Sequence, residues 1–184
     1  TPHTDNPYRK PIPCIQLLHC LENEVKGGLS TLVDGFAVAE YLKKKHQNLF
    51  KILTKTKVRF RFVDKTIILE NWGELIELDQ DKHIKQVRYS TRLDYVPALE
   101  KKELEKFYKA RKLIAKLYAS SKFEIRFKLE KGDLLMMDNH RLLHGRTSFE
   151  SKGKRYLKGC YIDHDSTEGK LRYLERKFGL KWKK

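Results

Sequence analysis

The feature that most constrains this chain is a repeated period of two. Val58, Phe60 and Phe62 alternate with Lys57, Arg59 and Arg61, and Phe123, Ile125, Phe127 and Leu129 alternate with Glu124, Arg126 and Lys128. Successive strand side chains point to opposite faces, so each stretch reads as a strand with one face buried. Residues 14–20 repeat the pattern after the turn signals Pro11 and Pro13. Shorter strands are expected at 30–33, 66–70, 75–78, 84–89, 134–137 and 156–163, with turns such as Gly27-Gly28 and Gly132-Asp133 between them. Helices are few. Asp34 stands where an N-cap would accept a backbone hydrogen for a helix over 35–45, and an apolar turn follows at 49–53. Pro97 opens the longest helix, whose stripe of Leu104, Phe107, Ile114, Leu117 and Tyr118 reads as core packing. Many short strands, few helices and no repeated β-α unit give a mainly β fold with flanking helices, an antiparallel sandwich or barrel.

With 184 residues, 40% of them apolar, the chain is long enough for one domain with its own core, and 1–184 is read as a single domain. Its 40 basic against 24 acidic residues give +16, concentrated over 43–61 and 170–184. Such a surface attracts anions through a screened, nonspecific field. No nucleic-acid motif accompanies the lysines, which interrupt amphipathic elements as solvated faces, so no nucleic-acid partner is expected. Cys14, Cys20 and Cys160 have neither zinc-site spacing nor the density of a disulfide scaffold and read as reduced thiols of a cytoplasmic protein. No apolar run approaches membrane-spanning length, and no membrane partner is expected.

Chemistry enters with His3-Thr4-Asp5. A histidine and an aspartate two positions apart on an extended segment point the same way and can grip one metal ion together. A third ligand is available far along the chain, where an apolar run ends in Asp138-Asn139-His140-Arg141-Leu142-Leu143-His144-Gly145-Arg146. Two histidines and one carboxylate suit iron(II), because three ligands on one face of an octahedron leave the opposite positions open for a co-substrate and oxygen. Both His140 and His144 lie in that corner; a helical turn would let the two chelate together, whereas a strand would present them separately. Asp138 and Asn139 are expected to support the histidine corner by hydrogen bonding. A ligand-bearing strand needs neighbours on both sides, so a first ligand at residue 3 reads as the C-terminal part of a longer, N-terminally incomplete protein.

Several ordered blocks carry a family resemblance: His3 to Tyr8, Ile15-Gln16-Leu17-Leu18-His19-Cys20, Gly27 to Phe36, and Asp138 to Arg146. They resemble the iron(II)/2-oxoglutarate dioxygenases related to taurine dioxygenase, and most of all the gamma-butyrobetaine and trimethyllysine hydroxylase branch. The resemblance implies a double-stranded β-helix, or jelly roll, with the metal at its mouth. It selects His144 over His140 beside His3 and Asp5, and implies Fe(II) with 2-oxoglutarate and O2 as co-substrates. Arg155, eleven residues after His144, matches the arginine that clamps the distal carboxylate of 2-oxoglutarate, a task for which a planar guanidinium fork is suited. Ser30 falls where relatives place a hydroxyl on the co-substrate, although Leu29 replaces their aspartate.

Tyr161 matches a tyrosine of the aromatic cage that holds a quaternary ammonium. Arg155, Leu157, Gly159 and Tyr161 share one strand face, with about 20 Å between its ends. Tyr8 and Trp72 are further aromatic candidates, and Ser90 a polar one, since Tyr89-Ser90-Thr91 stands where relatives carry asparagines. The resemblance thus implies hydroxylation of a small zwitterion, gamma-butyrobetaine first, with trimethyllysine, a taurine-like sulfonate or an aminophosphonate as alternatives, and it is compatible with a homodimer. A noncatalytic binding module that keeps the fold is the alternative from another class.

Overall fold

A computed structural model describes residues 1–180; the last four positions of the basic tail lie outside the described residues. Two three-stranded antiparallel sheets carry the centre of the molecule. The first has the order β11-β1-β9, from Arg155–Ile162 (β11), Ile15–Asn23 (β1) and Leu134–Asp138 (β9). The second runs β10-β2-β8, from Leu142–Arg146 (β10), Ser30–Asp34 (β2) and Glu124–Phe127 (β8). Chain-consecutive strands alternate between the two sheets: β1 to β2, β8 to β9, β9 to β10 and β10 to β11. That alternation makes a jelly roll rather than a pair of meanders. The sheets face each other across a hollow lined by Leu18 and Leu157 from the first and Ser30, His144 and Arg146 from the second.

The expected helix over 35–45 forms as α1 (Gly35–Lys45), and Asp34 caps it by accepting from the backbone N–H groups of Phe36 and Ala37 at 3.0 and 3.2 Å. Burial opposes ionisation of Asp34, but Arg141 and the two cap hydrogens prevail and lower its pKa. The turn at 49–53 is a full helix, α2 (Gln47–Leu53). α3 spans Lys101–Tyr118 and begins four residues later than the proline signal, because Glu100 is extended at φ −55, ψ 145. Its stripe buries Phe107, Ala110, Ile114 and Tyr118, as core packing requires.

These helices close over the outer face of the second sheet, where Val33 and Leu143 are fully buried with Val38 and Leu42 of α1. β3 (Lys57–Val63), β4 (Ile68–Glu74), β5 (Ile76–Leu78), β6 (Ile84–Val87) and β7 (Asp94–Tyr95) complete the wall, with Val58, Phe60 and Ile76 in the same core. The main apolar core therefore lies outside the jelly roll and leaves its interior for polar groups.

One element escaped the sequence reading. Residues 164–178 form α4 (His164–Phe178), ended by Gly179 in the left-handed region at φ 63. Its signals are Leu171, Leu174 and Phe178 at helical spacing and that glycine stop, but α4 buries no residue, so a basic tail was all that composition displayed. Among the described residues no helix is long and apolar enough to cross a membrane, and Cys14, Cys20 and Cys160 are unpaired.

Gly35 is where the first turn of α1 packs against β6 and the start of β10. A Cβ there would lie 2.6 Å from Val87 Cγ2, 2.7 Å from the Arg141 carbonyl oxygen and 2.9 Å from Leu143 Cδ1. Gly35→Ala is expected to cost about 1–3 kcal/mol of stability through overpacking, measured by urea denaturation, despite alanine's better helix propensity.

Candidate metal centre

The His3–Asp5 segment docks antiparallel to β10. His3 N–H donates to the His144 carbonyl and His144 N–H to the His3 carbonyl, both at 2.9 Å. Residues that exchange both bonds sit directly opposite each other with side chains on one face. The imidazole rings accordingly meet at a centroid distance of 4.5 Å. Alternation then turns Thr4 inward, where its N–H donates to the Tyr89 carbonyl at 2.9 Å and its Oγ1 accepts from Tyr89 N–H at 3.1 Å. Asp5 returns to the histidine side. Asn6 ends the segment in the left-handed region at φ 52, a conformation asparagine tolerates.

His3, Asp5 and His144 thus each offer one ligand atom within 4.8 Å of the others. His3 Nε2 is 3.4 Å from Asp5 Oδ1, and His144 Nε2 is 3.7 Å from Asp5 Oδ2. Donors so spaced can share an ion held at about 2.1 Å. His3 Nδ1 lies 3.1 Å from the Thr1 carbonyl, which favours the tautomer with the proton on Nδ1 and the Nε2 lone pair free. Two imidazoles and one carboxylate fit a divalent iron-group ion with vacant positions opposite.

Electrostatics keep this set ready for a cation. Burial opposes ionisation of Asp5, but His3, His144 and Tyr161 outweigh it and hold its pKa at about 2. Burial presses the His144 ring toward its neutral form, down to about 4, against the pull of Asp5. Both donors are in their metal-binding forms at neutral pH.

Neighbours fix the carboxylate. Gln16 Nε2 donates to Asp5 Oδ2 at 2.6 Å, and the Tyr161 hydroxyl donates to the same oxygen at 2.7 Å. Burial and the Asp5 charge both raise the Tyr161 pKa. The sequence signal for Gln16 is its even position in β1, on the face opposite Ile15 and Leu17, among other polar residues (His19, Glu22, Asn23) of the same strand. Asn139 acts differently from expectation. It holds the Asp5 main chain, accepting from Asp5 N–H at 2.7 Å and donating to the Asp5 carbonyl at 3.0 Å, while His144 Nδ1 is buried without a partner. His140 lies apart from the triad, 3.2 Å from His164 and 3.1 Å from the Ile12 carbonyl, a pairing that the spacing of 24 residues concealed.

The remaining candidates divide between two hollows. One, of about 520 Å³, brings His3 and His144 together with Ser30, Ser90, Arg146 and Arg155. Arg155 makes no ion pair among the described residues, its Nε is buried without a partner, and Phe149 lies beneath both Arg146 and Arg155 at 4.2 and 5.8 Å. The second hollow, of about 630 Å³, is lined by Tyr8 and Tyr161 with Arg9, Lys10, Glu70 and Asp163. Tyr8 is 8% exposed and stacks on Phe62 at 5.0 Å, so only its edge is available. Trp72 stands apart, lining a separate surface hollow with Lys51, Leu99 and Lys106.

The pKa directions set a sign for stability against pH. The His144 pKa is 6.5 when free and about 4 when folded, so below pH 6.5 the unfolded chain binds the extra proton. Apoprotein stability is therefore full above that pH and falls as pH drops toward 4, with a slope approaching about 1.4 kcal/mol per pH unit. Denaturant midpoints across this range check it, and His144→Gln is expected to reduce the slope, leaving the part that comes from His140, whose pKa burial also lowers.

Comparison with known proteins agrees with this geometry. The chain is 33% identical to the gamma-butyrobetaine dioxygenase of Pseudomonas sp. (strain AK-1) over 95% of its length and 46% of that protein's. It is 35% identical to the human gamma-butyrobetaine dioxygenase, covering 95% of this chain and 47% of the other. A trimethyllysine dioxygenase of Meyerozyma guilliermondii is also 35% identical, over 94% of this chain and 44% of its own. The chain spans about half the length of the curated relatives it matches. Among solved structures, a taurine dioxygenase from Burkholderia xenovorans superposes with a TM-score of 0.70 at 19% identity, over 88% of this chain and 57% of that one. Residues 1–161 match the family described as taurine catabolism dioxygenase TauD, TfdA family, and the chain belongs to it.

Proposed function

We propose that the protein is an iron(II)- and 2-oxoglutarate-dependent hydroxylase of a small trimethylammonium compound, with gamma-butyrobetaine, hydroxylated to carnitine, as the preferred substrate. The observation that carries this reading is one hollow lined by His3 and His144, the two histidines of the His3–Asp5–His144 set, and by Arg155, which has no acidic partner among the described residues. Iron bound with 2-oxoglutarate and O2 supplies the oxidising power to hydroxylate an unactivated C–H bond; the protein contributes position. His3, Asp5 and His144 would hold the ion. Arg155 would take the distal carboxylate of 2-oxoglutarate with its planar fork, and Ser30 would add a hydroxyl contact in the same hollow.

Tyr161 would stand between co-substrate and substrate. Its hydroxyl is on Asp5, and it lines the second hollow, where its ring would offer an aromatic face to a quaternary ammonium. Tyr8 would add an aromatic edge there, and Ser90 would meet a polar group of the substrate from the first hollow. The trimethyllysine dioxygenase match at 35% identity supports a second reading, the same chemistry on a longer trimethylammonium compound.

Succinate formation from 2-oxoglutarate, assayed against gamma-butyrobetaine, trimethyllysine, taurine and an aminophosphonate, tests the proposal. Gamma-butyrobetaine is expected to give the highest substrate-dependent turnover; absence of turnover with every compound overturns it. Asp5→Ala is expected to reduce turnover to background. Arg155→Lys, which loses the fork and keeps the charge, is expected to raise the KM for 2-oxoglutarate by about 10–100-fold, the equivalent of one charged hydrogen bond.

A further inference from the structure

We infer that His140 and His164 form a second metal site, outside the jelly roll, that takes Zn(II) and fastens α4 to the turn between β9 and β10. His140 Nδ1 and His164 Nε2 face each other at 3.2 Å, with the rings inclined at 64°. Two nitrogens bound to one tetrahedral zinc ion at about 2.1 Å stand about 3.3 Å apart. The pair therefore already has the spacing of two ligands on a single ion. Imidazole donors of this kind suit zinc.

The outer nitrogens fix what the inner ones can do. His140 Nε2 lies 3.1 Å from the Ile12 carbonyl, which can only accept, so that nitrogen carries the proton and Nδ1 is left as a lone pair. His164 Nδ1 lies 3.8 Å from Glu168 Oε1, one turn along α4, and the carboxylate favours a proton there. Lone pairs then meet across the gap, and a cation between them relieves the repulsion. A proton can fill that place too, and competes with the metal for it. An imidazole that gives its far N–H to a carbonyl or carboxylate is also the usual arrangement of a metal ligand. Charge around the pair is mixed. The hollow beside it, of about 450 Å³, is lined by Asp163 and Asp165 as well as by Arg9, Lys10, Lys85 and Arg88, but Lys85 and Arg88 are both paired with Glu77. Among the described residues only His3, Asp5 and His144 form a three-donor cluster, so water from the hollow would complete the zinc shell here. The ion would have a task. α4 buries none of its residues, and among the described residues His164 makes its only side-chain hydrogen bond beyond its own cap residue.

Zinc itself separates this site from the one in the jelly roll. Calorimetry with Zn(II) at up to about 1 mM is expected to count two sites in the wild-type protein, one in Asp5→Ala, one in His164→Gln and none in the double variant. The His164 side chain is half-exposed, so His164→Gln is expected to unfold thermally as the wild type does when zinc is absent. Imidazole nitrogen NMR of the wild-type protein needs no variant: zinc is expected to shift Nδ1 of His140 and Nε2 of His164, and to leave His19 and His46 unchanged. A wild-type count of one that disappears in His164→Gln upholds this site and removes the other. Equal zinc counts in Asp5→Ala and the double variant, or signals of His140 and His164 that respond to protons and ignore zinc, overturn it.

Discussion

The structure depends on the pair of main-chain hydrogen bonds between His3 and His144. Those bonds join residues 141 positions apart and make them face-to-face neighbours. Everything else at the centre follows from that register. Alternation sends Thr4 into the protein and brings Asp5 back beside the rings, while Asn139 holds the Asp5 backbone at both its N–H and its carbonyl. Gly145 belongs to the same requirement: a Cβ on it would stand 2.9 Å from Thr31 Oγ1 and 3.3 Å from the Pro2 nitrogen. A side chain at 145 would push the first segment off β10 and separate the ligands.

Charge is arranged in two tiers. The net +16 is a property of the surface, spread over exposed lysines whose field is screened within about 8 Å at physiological salt. Inside the jelly roll the balance is local. A carboxylate held ionised lies beside a neutral imidazole, and Arg146 and Arg155 both lie over the Phe149 ring in place of an acid. Among the described residues neither guanidinium has an ion-pair partner, so both keep unused hydrogen-bonding capacity on the wall of the hollow. The two tiers explain why bulk charge says little about the hollow, whose character is set by the few side chains on its wall.

How far the sequence reveals this depends on whether a residue's role is local. The cap at Asp34, the stripe of α3 and the alternation of β3 and β8 are set by spacing, and the strands and helices follow with shifted ends. The His-x-Asp pair is legible for the same reason, because two-residue periodicity puts both side chains on one face. His144 needed family likeness, since nothing within a window reaches across 141 residues. Gln16, the true object of Asn139 and the meeting of His140 with His164 are tertiary facts, set by which strand lies beside which. α4 was hidden for the opposite reason, having no buried face to leave a strong apolar period.

β11 carries Arg155 and Tyr161 on one continuous face, and the irregularity in its pairing with β1 falls on the β1 side, between Cys20 and Glu22. The strand is therefore a ruler of fixed length between the Arg155 guanidinium and the tyrosine hydroxyl on Asp5. Inserting one residue between them would turn one of the two side chains out into solvent, and inserting two would lengthen the ruler by about 6.6 Å. Any change in the spacing of the two side chains must therefore be made within β11 itself.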